Sequence, residues 1–217
     1  AQKVVAVELD RSLLWVLDET LADFSNVEIL PADILKLDIP ALVDEKFSGM
    51  VPMACANLPY NITTPVITAL IEANRFSCIA VMIQREVALR ICAAPGTADY
   101  GAFSVYCQYH TAPELLFDVG PECFVPAPKV TSSVIRMIPR SAPPEGVEDE
   151  KRFFRVVKAA FGQRRKTLLN ALSAGLGGVD KEHIKSAIAA AGLEENIRGE
   201  RLGIPEFAAL TRALGDF

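Results

Sequence analysis

The sequence predicts an α/β fold with a mostly parallel sheet covered by helices, followed by a small C-terminal helical domain. Two observations carry this. Short apolar, often β-branched runs alternate with stretches that are apolar at helical spacing. A polar, proline-rich and acidic stretch, "SAPPEGVEDE", then separates them from segments that are helical in period throughout. The expected organisation is a sheet domain over 1–140, a linker over 141–150 and a helical domain over 151–217. With 217 residues, 51% of them hydrophobic, the chain can form one sizeable core and an appendage.

Taken in order, "KVVAVEL" has the composition of a doubly buried strand, and "RSLLWVLDETLADF" after it places apolar residues on one helical face. "VEILPAD" is the next strand. "VPMACANLP" with "TPVITALIEAN", and "CIAVMIQ" with "REVALRICAA", repeat the strand-then-helix pattern. From Glu114 the pattern changes: "ELLFDV" and "KVTSSVIRMI" read as strands joined by the proline-rich "GPECFVPAP", with no helix between them. An antiparallel pair finishing the sheet is the simplest arrangement. Beyond the linker, "KRFFRVVKAAFGQRRKTLLNALSAGL", "DKEHIKSAIAAAGL" and "PEFAALTRALGDF" predict helices.

The net charge of −5 argues against indiscriminate coating of nucleic acid, while leaving room for a local basic surface. Five scattered cysteines without a C-x-x-C, and only two histidines, predict reduced thiols and no metal site. No apolar run approaches membrane-span length and the first residues do not resemble a signal peptide, so the expectation is a cytoplasmic protein with no membrane partner.

In parallel α/β sheets ligands collect at the carboxyl ends of strands, which makes polar residues closing apolar runs the first candidates. Glu8, Asp33 and Asn57 are such residues. A carboxylate at Glu8 can accept from both hydroxyls of a ribose, and one at Asp33 from an adenine amine. Taken singly, either acid could equally be a helix cap. In "ANLPYNITTP", Asn57, Pro59 and Tyr60 crowd one strand end. An exocyclic adenine amine is a poor nucleophile because its lone pair is delocalised into the ring. The Asn57 amide oxygen and the Pro59 carbonyl can each accept one of its N–H groups, localising the pair, while Tyr60 stacks on the base. Pro59 fixes its own φ and restricts Leu58, so the acceptors are preset. Alone, the motif could also be a strand-to-helix turn with a buried tyrosine.

"VVAVELD", "PADILKLD", "ANLPYNITTPVI", "FVPAPKVTSSVIR" and "AFGQRRKTLLNAL" together resemble, in order and spacing, the ribosomal RNA adenine N6-dimethyltransferases. The resemblance runs the length of the chain. It implies a Rossmann-like class I methyltransferase sheet and an enzyme that uses S-adenosyl-L-methionine, without a metal. The implied reaction dimethylates N6 of two adjacent adenosines near the 3′ end of small-subunit rRNA, by a monomer acting on the pre-ribosomal small subunit. It also implies that Glu8 binds the cofactor ribose and Asp33 its adenine. Asn57 would touch cofactor and target amine, with Pro59 and Tyr60 acting as above. Phe124 falls where the family has a second aromatic beside the flipped base; a two-sided sandwich offsets the cost of unstacking. Arg164, Arg165 and Lys166, within an acid-free run from Lys151 to Asn170, lie in the family's second-domain motif and are implied RNA ligands, with structural support of that domain as the alternative.

The chain departs from the family at its start. Neither an "F-G-Q-N-F-L"-like segment nor a glycine-rich turn precedes Glu8, although such an acid usually follows that turn by ~20 residues. The expectation is a chain shortened at its N-terminus, lacking the first strand and weak in cofactor binding. The strands of Glu8 and Asn57 would then pair directly, stay apart, or be completed by another chain. Two other functions compete: an RNA-binding assembly factor without essential catalysis, and an adenine methyltransferase of large-subunit rRNA.

Overall fold

The computed structural model describes residues 1–217, which divide into two compact units, Ala1–Ile83 and Gln84–Phe217. In the first unit, β1 (Val4–Glu8) and β2 (Val27–Pro31) pair in parallel, with Val4 opposite Val27 and Glu8 opposite Pro31. Helix α1 (Arg11–Thr20) connects them, started by Asp10, whose carboxylate accepts the Ser12 N–H at 2.8 Å. Helix α2 (Ile39–Lys46) is capped the same way by Asp38 on Ala41. β3 (Met53–Asn57) then pairs in parallel with β4 (Cys78–Gln84) through α3 (Thr63–Glu72). The unit's core is made by α3 and β4, where Val66, Ile67, Ile79, Val81 and Ile83 are all buried.

β1 and β3 stay apart: the strand pairs belong to separate sheets. This has a consequence for "KVVAVEL", expected to be buried on both faces. Val4 is exposed and the rest of β1 only half-buried, because the strand pairs on one edge alone and no residue before Ile39 is buried.

In the second unit, α4 (Arg85–Cys92) and α5 (Ala102–His110) pack on β5 (Thr111–Val119), which pairs antiparallel with β6 (Ser132–Pro139), as the sequence predicts. Helix α5 was not foreseen, nor was α2. "AFSVYCQYH" mixes aromatic and polar residues without a clean stripe, and packing fixes it: Ser104, Val105, Cys107 and Tyr109 are buried.

The helical run expected over 151–176 is two helices, α6 (Glu150–Gly162) and α7 (Leu168–Gly175). Gln163 leaves the helical conformation, and Thr167 caps a new helix by accepting the Asn170 N–H. Gly175 permits the two to cross closely, since a Cβ there would lie 2.6 Å from the Ala159 Cβ. With α8 (Lys181–Ala190) and α9 (Ile204–Leu214) they enclose Phe153, Leu168, Leu172, Ile184 and Phe207. Rings of α5 join this core, Tyr109 lying 5.2 Å from Phe153 and 4.9 Å from Phe154. That shared aromatic packing is why the helices cohere with α4, α5, β5 and β6 in one unit. No helix is long and apolar enough to cross a membrane.

Candidate functional site

Glu8 and Asp33 close neighbouring parallel strands, so both carboxylates stand at the same end of one strand pair. The chain is held there by the Ala32 N–H, which donates to the Glu8 carbonyl at 3.1 Å. One Glu8 oxygen accepts the Asp10 N–H at 2.7 Å, leaving the other for a ligand hydroxyl. Asp33 caps the 3-10 turn over Ile34–Lys36 by accepting the Leu35 N–H at 3.0 Å, and its second oxygen lies 3.7 Å from Lys36 Nζ. That turn packs against α3, the helix that follows the Asn57 motif.

Asn57 ends β3 and is exposed, whereas Leu58 is 6% exposed and donates its N–H to the Met82 carbonyl at 3.0 Å. This alternation explains the motif's local form. The buried leucine anchors the strand end, and its neighbours on either side are turned outward. Pro59 adopts φ −56° and ψ 133°, and Tyr60 opens a short 3-10 turn leading into α3. The Pro59 carbonyl already accepts from the Ile62 N–H at 3.2 Å and the Thr63 hydroxyl at 3.3 Å. Both bonds are long, so a ligand amine competes for this oxygen at modest cost.

Phe124 belongs to the second unit, half-buried in the segment between β5 and β6, where its N–H donates to the Pro121 carbonyl. The basic run does not form one face. Arg152 and Arg155 of α6 hydrogen-bond the carbonyls of Gly215 and Phe217. Arg164 is also engaged, donating from Nε to Glu200 at 3.0 Å and from Nη2 to the Ala98 carbonyl. It ties three segments together as a staple. Arg165 and Lys166, in the turn between α6 and α7, are exposed and make no ion pair. The five cysteines are free thiols, and no group of three or more His, Cys, Asp or Glu side chains converges.

Reasoning from strand ends overlooked Gln84 and Arg85, although "CIAVMIQR" ends in polar residues just as "VVAVE" does. Asp118 was missed for a different reason. Its partners, Arg85 and Ser133, are distant in sequence, and only the fold joins them: Arg85 Nε donates at 2.9 Å and the Ser133 hydroxyl at 2.6 Å. Those two bonds, Ser133's first, hold the Asp118 carboxyl below the usual aspartate range.

Comparison with known proteins bears on the family and the fold. The family model described as ribosomal RNA adenine dimethylase matches residues 1–201. A ribosomal RNA small subunit methyltransferase A from Alkaliphilus metalliredigens is 47% identical over 213 residues, covering 98% of this chain and 74% of that protein. Among solved structures, a dimethyladenosine transferase from Plasmodium falciparum superposes with a TM-score of 0.75 at 21% identity, covering 97% of this chain and 81% of that one. The 23S rRNA methyltransferase ErmE gives 0.71 at 22% identity, covering 100% and 83%. These two share the Rossmann-like fold. Neither the fold nor the comparisons support the expected loss of cofactor affinity. The family match over most of the chain, with close to half of all positions identical to a relative that covers nearly all of it, shows that this chain belongs to the ribosomal RNA adenine dimethylase family of methyltransferases.

Proposed function

We propose that the protein transfers methyl groups from S-adenosyl-L-methionine to N6 of two adjacent adenosines near the 3′ end of small-subunit rRNA. It would act as a monomer on the pre-ribosomal small subunit, in the cytoplasm. In this reading residues 1–140 carry the chemistry and 151–217, with Arg165 and Lys166 exposed, contact RNA. The observation behind it is the succession of polar strand ends, Glu8, Asp33 and Asn57, each at a C-terminal strand end in one unit.

The donor set suits a nucleoside cofactor: two carboxylates at adjacent strand ends, each already oriented by a backbone N–H, accept from ribose hydroxyls and an adenine amine. When bound, S-adenosyl-L-methionine supplies an electrophilic methyl group. The chain's own contribution lies with the target. Asn57 Oδ1 and the Pro59 carbonyl take the two N–H bonds of the amine and draw its lone pair out of conjugation. Tyr60 offers its face to the extruded base and Phe124 is the candidate second aromatic for it; an aromatic face also favours the positive charge that develops on nitrogen. The excess proton then leaves from N6 to water, and no strong base is required.

The test is methylation of under-methylated small subunits. Replacing Asn57 by alanine is expected to lower kcat about 100-fold or more, the scale of losing one preorganised polar contact to a developing charge. RNA affinity should stay within about threefold, since phosphate contacts dominate it. Retained turnover in Asn57→Ala would overturn the assignment. Equal RNA affinity with no methylation by the unaltered protein would favour an assembly factor, and a preference for large-subunit RNA the other alternative.

A further inference from the structure

The β5–β6 pairing carries an irregularity beside the Phe124 segment. Glu114 pairs with Arg136 and Leu115 with Ile135, but Phe117 then pairs with Val134, leaving Leu116 as an extra residue. Because side chains alternate along a strand, one inserted residue turns everything after it to the other face. Glu114 lies on the exposed face, ion-paired to Arg136. Without the bulge Asp118 would share it. With the bulge Asp118 stands opposite Ser133, on the face of the buried Ile135 and Met137, against which α4 packs.

There its two oxygens are both used. Oδ1 accepts from the Ser133 hydroxyl at 2.6 Å and Oδ2 from Arg85 Nε at 2.9 Å. Arg85 is the first residue of α4, and its own N–H donates to the Thr131 carbonyl at 3.0 Å. Both ends of the segment Gly120–Thr131 are therefore tied to each other and to a helix start. Within the segment, Val125 and Val130 are exposed, so its burial does little to fix it.

We infer that Asp118, aimed by the Leu116 bulge and clamped by Arg85 and Ser133, is a positioning residue that presets the Phe124 segment for the target base. The inference rests on the reading of Phe124 given above. A carboxylate bonded at both oxygens holds one orientation, and a preset platform avoids ordering the segment when RNA arrives.

The experiment has two readouts, neither requiring turnover. The first is amide hydrogen exchange in Asp118→Asn and Asp118→Ala, with α6 and α8 as internal references. Exchange over Gly120–Thr131 is expected to rise about tenfold in Asp118→Ala and less in the isosteric Asp118→Asn, with the references unchanged. Unchanged exchange in the segment, or equal acceleration throughout, overturns the inference. The second is the stacking quench of 2-aminopurine placed at one of two adjacent adenosines in a hairpin RNA. Asp118→Ala should weaken it about threefold in the otherwise unaltered protein and add less than about 1.5-fold in a Phe124→Ala background, because residues acting through one another are not additive. Additive losses overturn the inference. Phe124→Ala without effect on the quench overturns the Phe124 reading itself, and the inference's functional half with it, while the exchange data still report on the clamp.

Discussion

Residues 1–38 and the four helices α6–α9 are both written in well-patterned sequence, yet they differ sharply in what they bury. The first stretch forms β1, α1 and β2 as expected and contains no buried residue; Trp15 on α1 is 66% exposed. Helix α6 alone buries Phe153, Val156, Val157, Ala159 and Ala160. The difference teaches that amphipathic spacing selects an element and a face, whereas stabilisation comes only from what that face meets. Fully burying a large apolar side chain contributes about 1.5–3 kcal/mol. That contribution is concentrated in the second unit, and the polar strand ends sit on the more lightly packed first one.

The comparison can be broken by substitution. Phe153→Ala should destabilise the second unit by about 3–5 kcal/mol, because the site is enclosed by rings that cannot collapse onto the cavity. Denaturant unfolding followed by far-ultraviolet circular dichroism measures this, and a loss below about 1 kcal/mol would mean the aromatic cluster is not the centre of stability.

Alkali probes the same core. Burial pushes the Tyr100 and Tyr109 hydroxyls from 10.0 up to about 12. Below pH 10 both tyrosines are neutral in folded and unfolded chains alike. Between pH 10 and about 12 the unfolded chain ionises first, so stability falls with rising pH across that window and levels off once the folded groups ionise. The melting temperature should drop there in step with delayed tyrosinate absorbance. Melting that is flat over this range would show these hydroxyls to be solvated.

At the other extreme, Trp15→Ala should change stability by no more than about 0.5 kcal/mol, the range of exposed positions. A larger loss in the same unfolding measurement would show that α1 contributes packing that its exposure does not reveal.

How far the candidate site was legible from sequence follows the same division. The strand-end placement of Asn57, Glu8 and Asp33 could be foreseen because each closes an apolar run, and the end of a parallel strand is a place defined by local pattern. The break between α6 and α7 was hidden because "GQRRKT" keeps a helical composition, and the turn is set by the Thr167 cap and by contact with distant residues. Arg164 illustrates a further limit. Its charge and motif suggest an RNA ligand, but the fold spends its guanidinium on Glu200 and Ala98.

The sequence by itself determined the alternation of strands and helices, the antiparallel finish of β5 and β6, the polar strand ends and the family to which they belong. These depend on period, on turn chemistry and on residues adjacent in the chain. Only the tertiary structure decided that β1 and β3 stay unpaired, that α5 joins the aromatic core of the helices, and that a one-residue bulge turns Asp118 toward Arg85 and Ser133. Each of those depends on partners tens of residues away, whose mutual register no local pattern records.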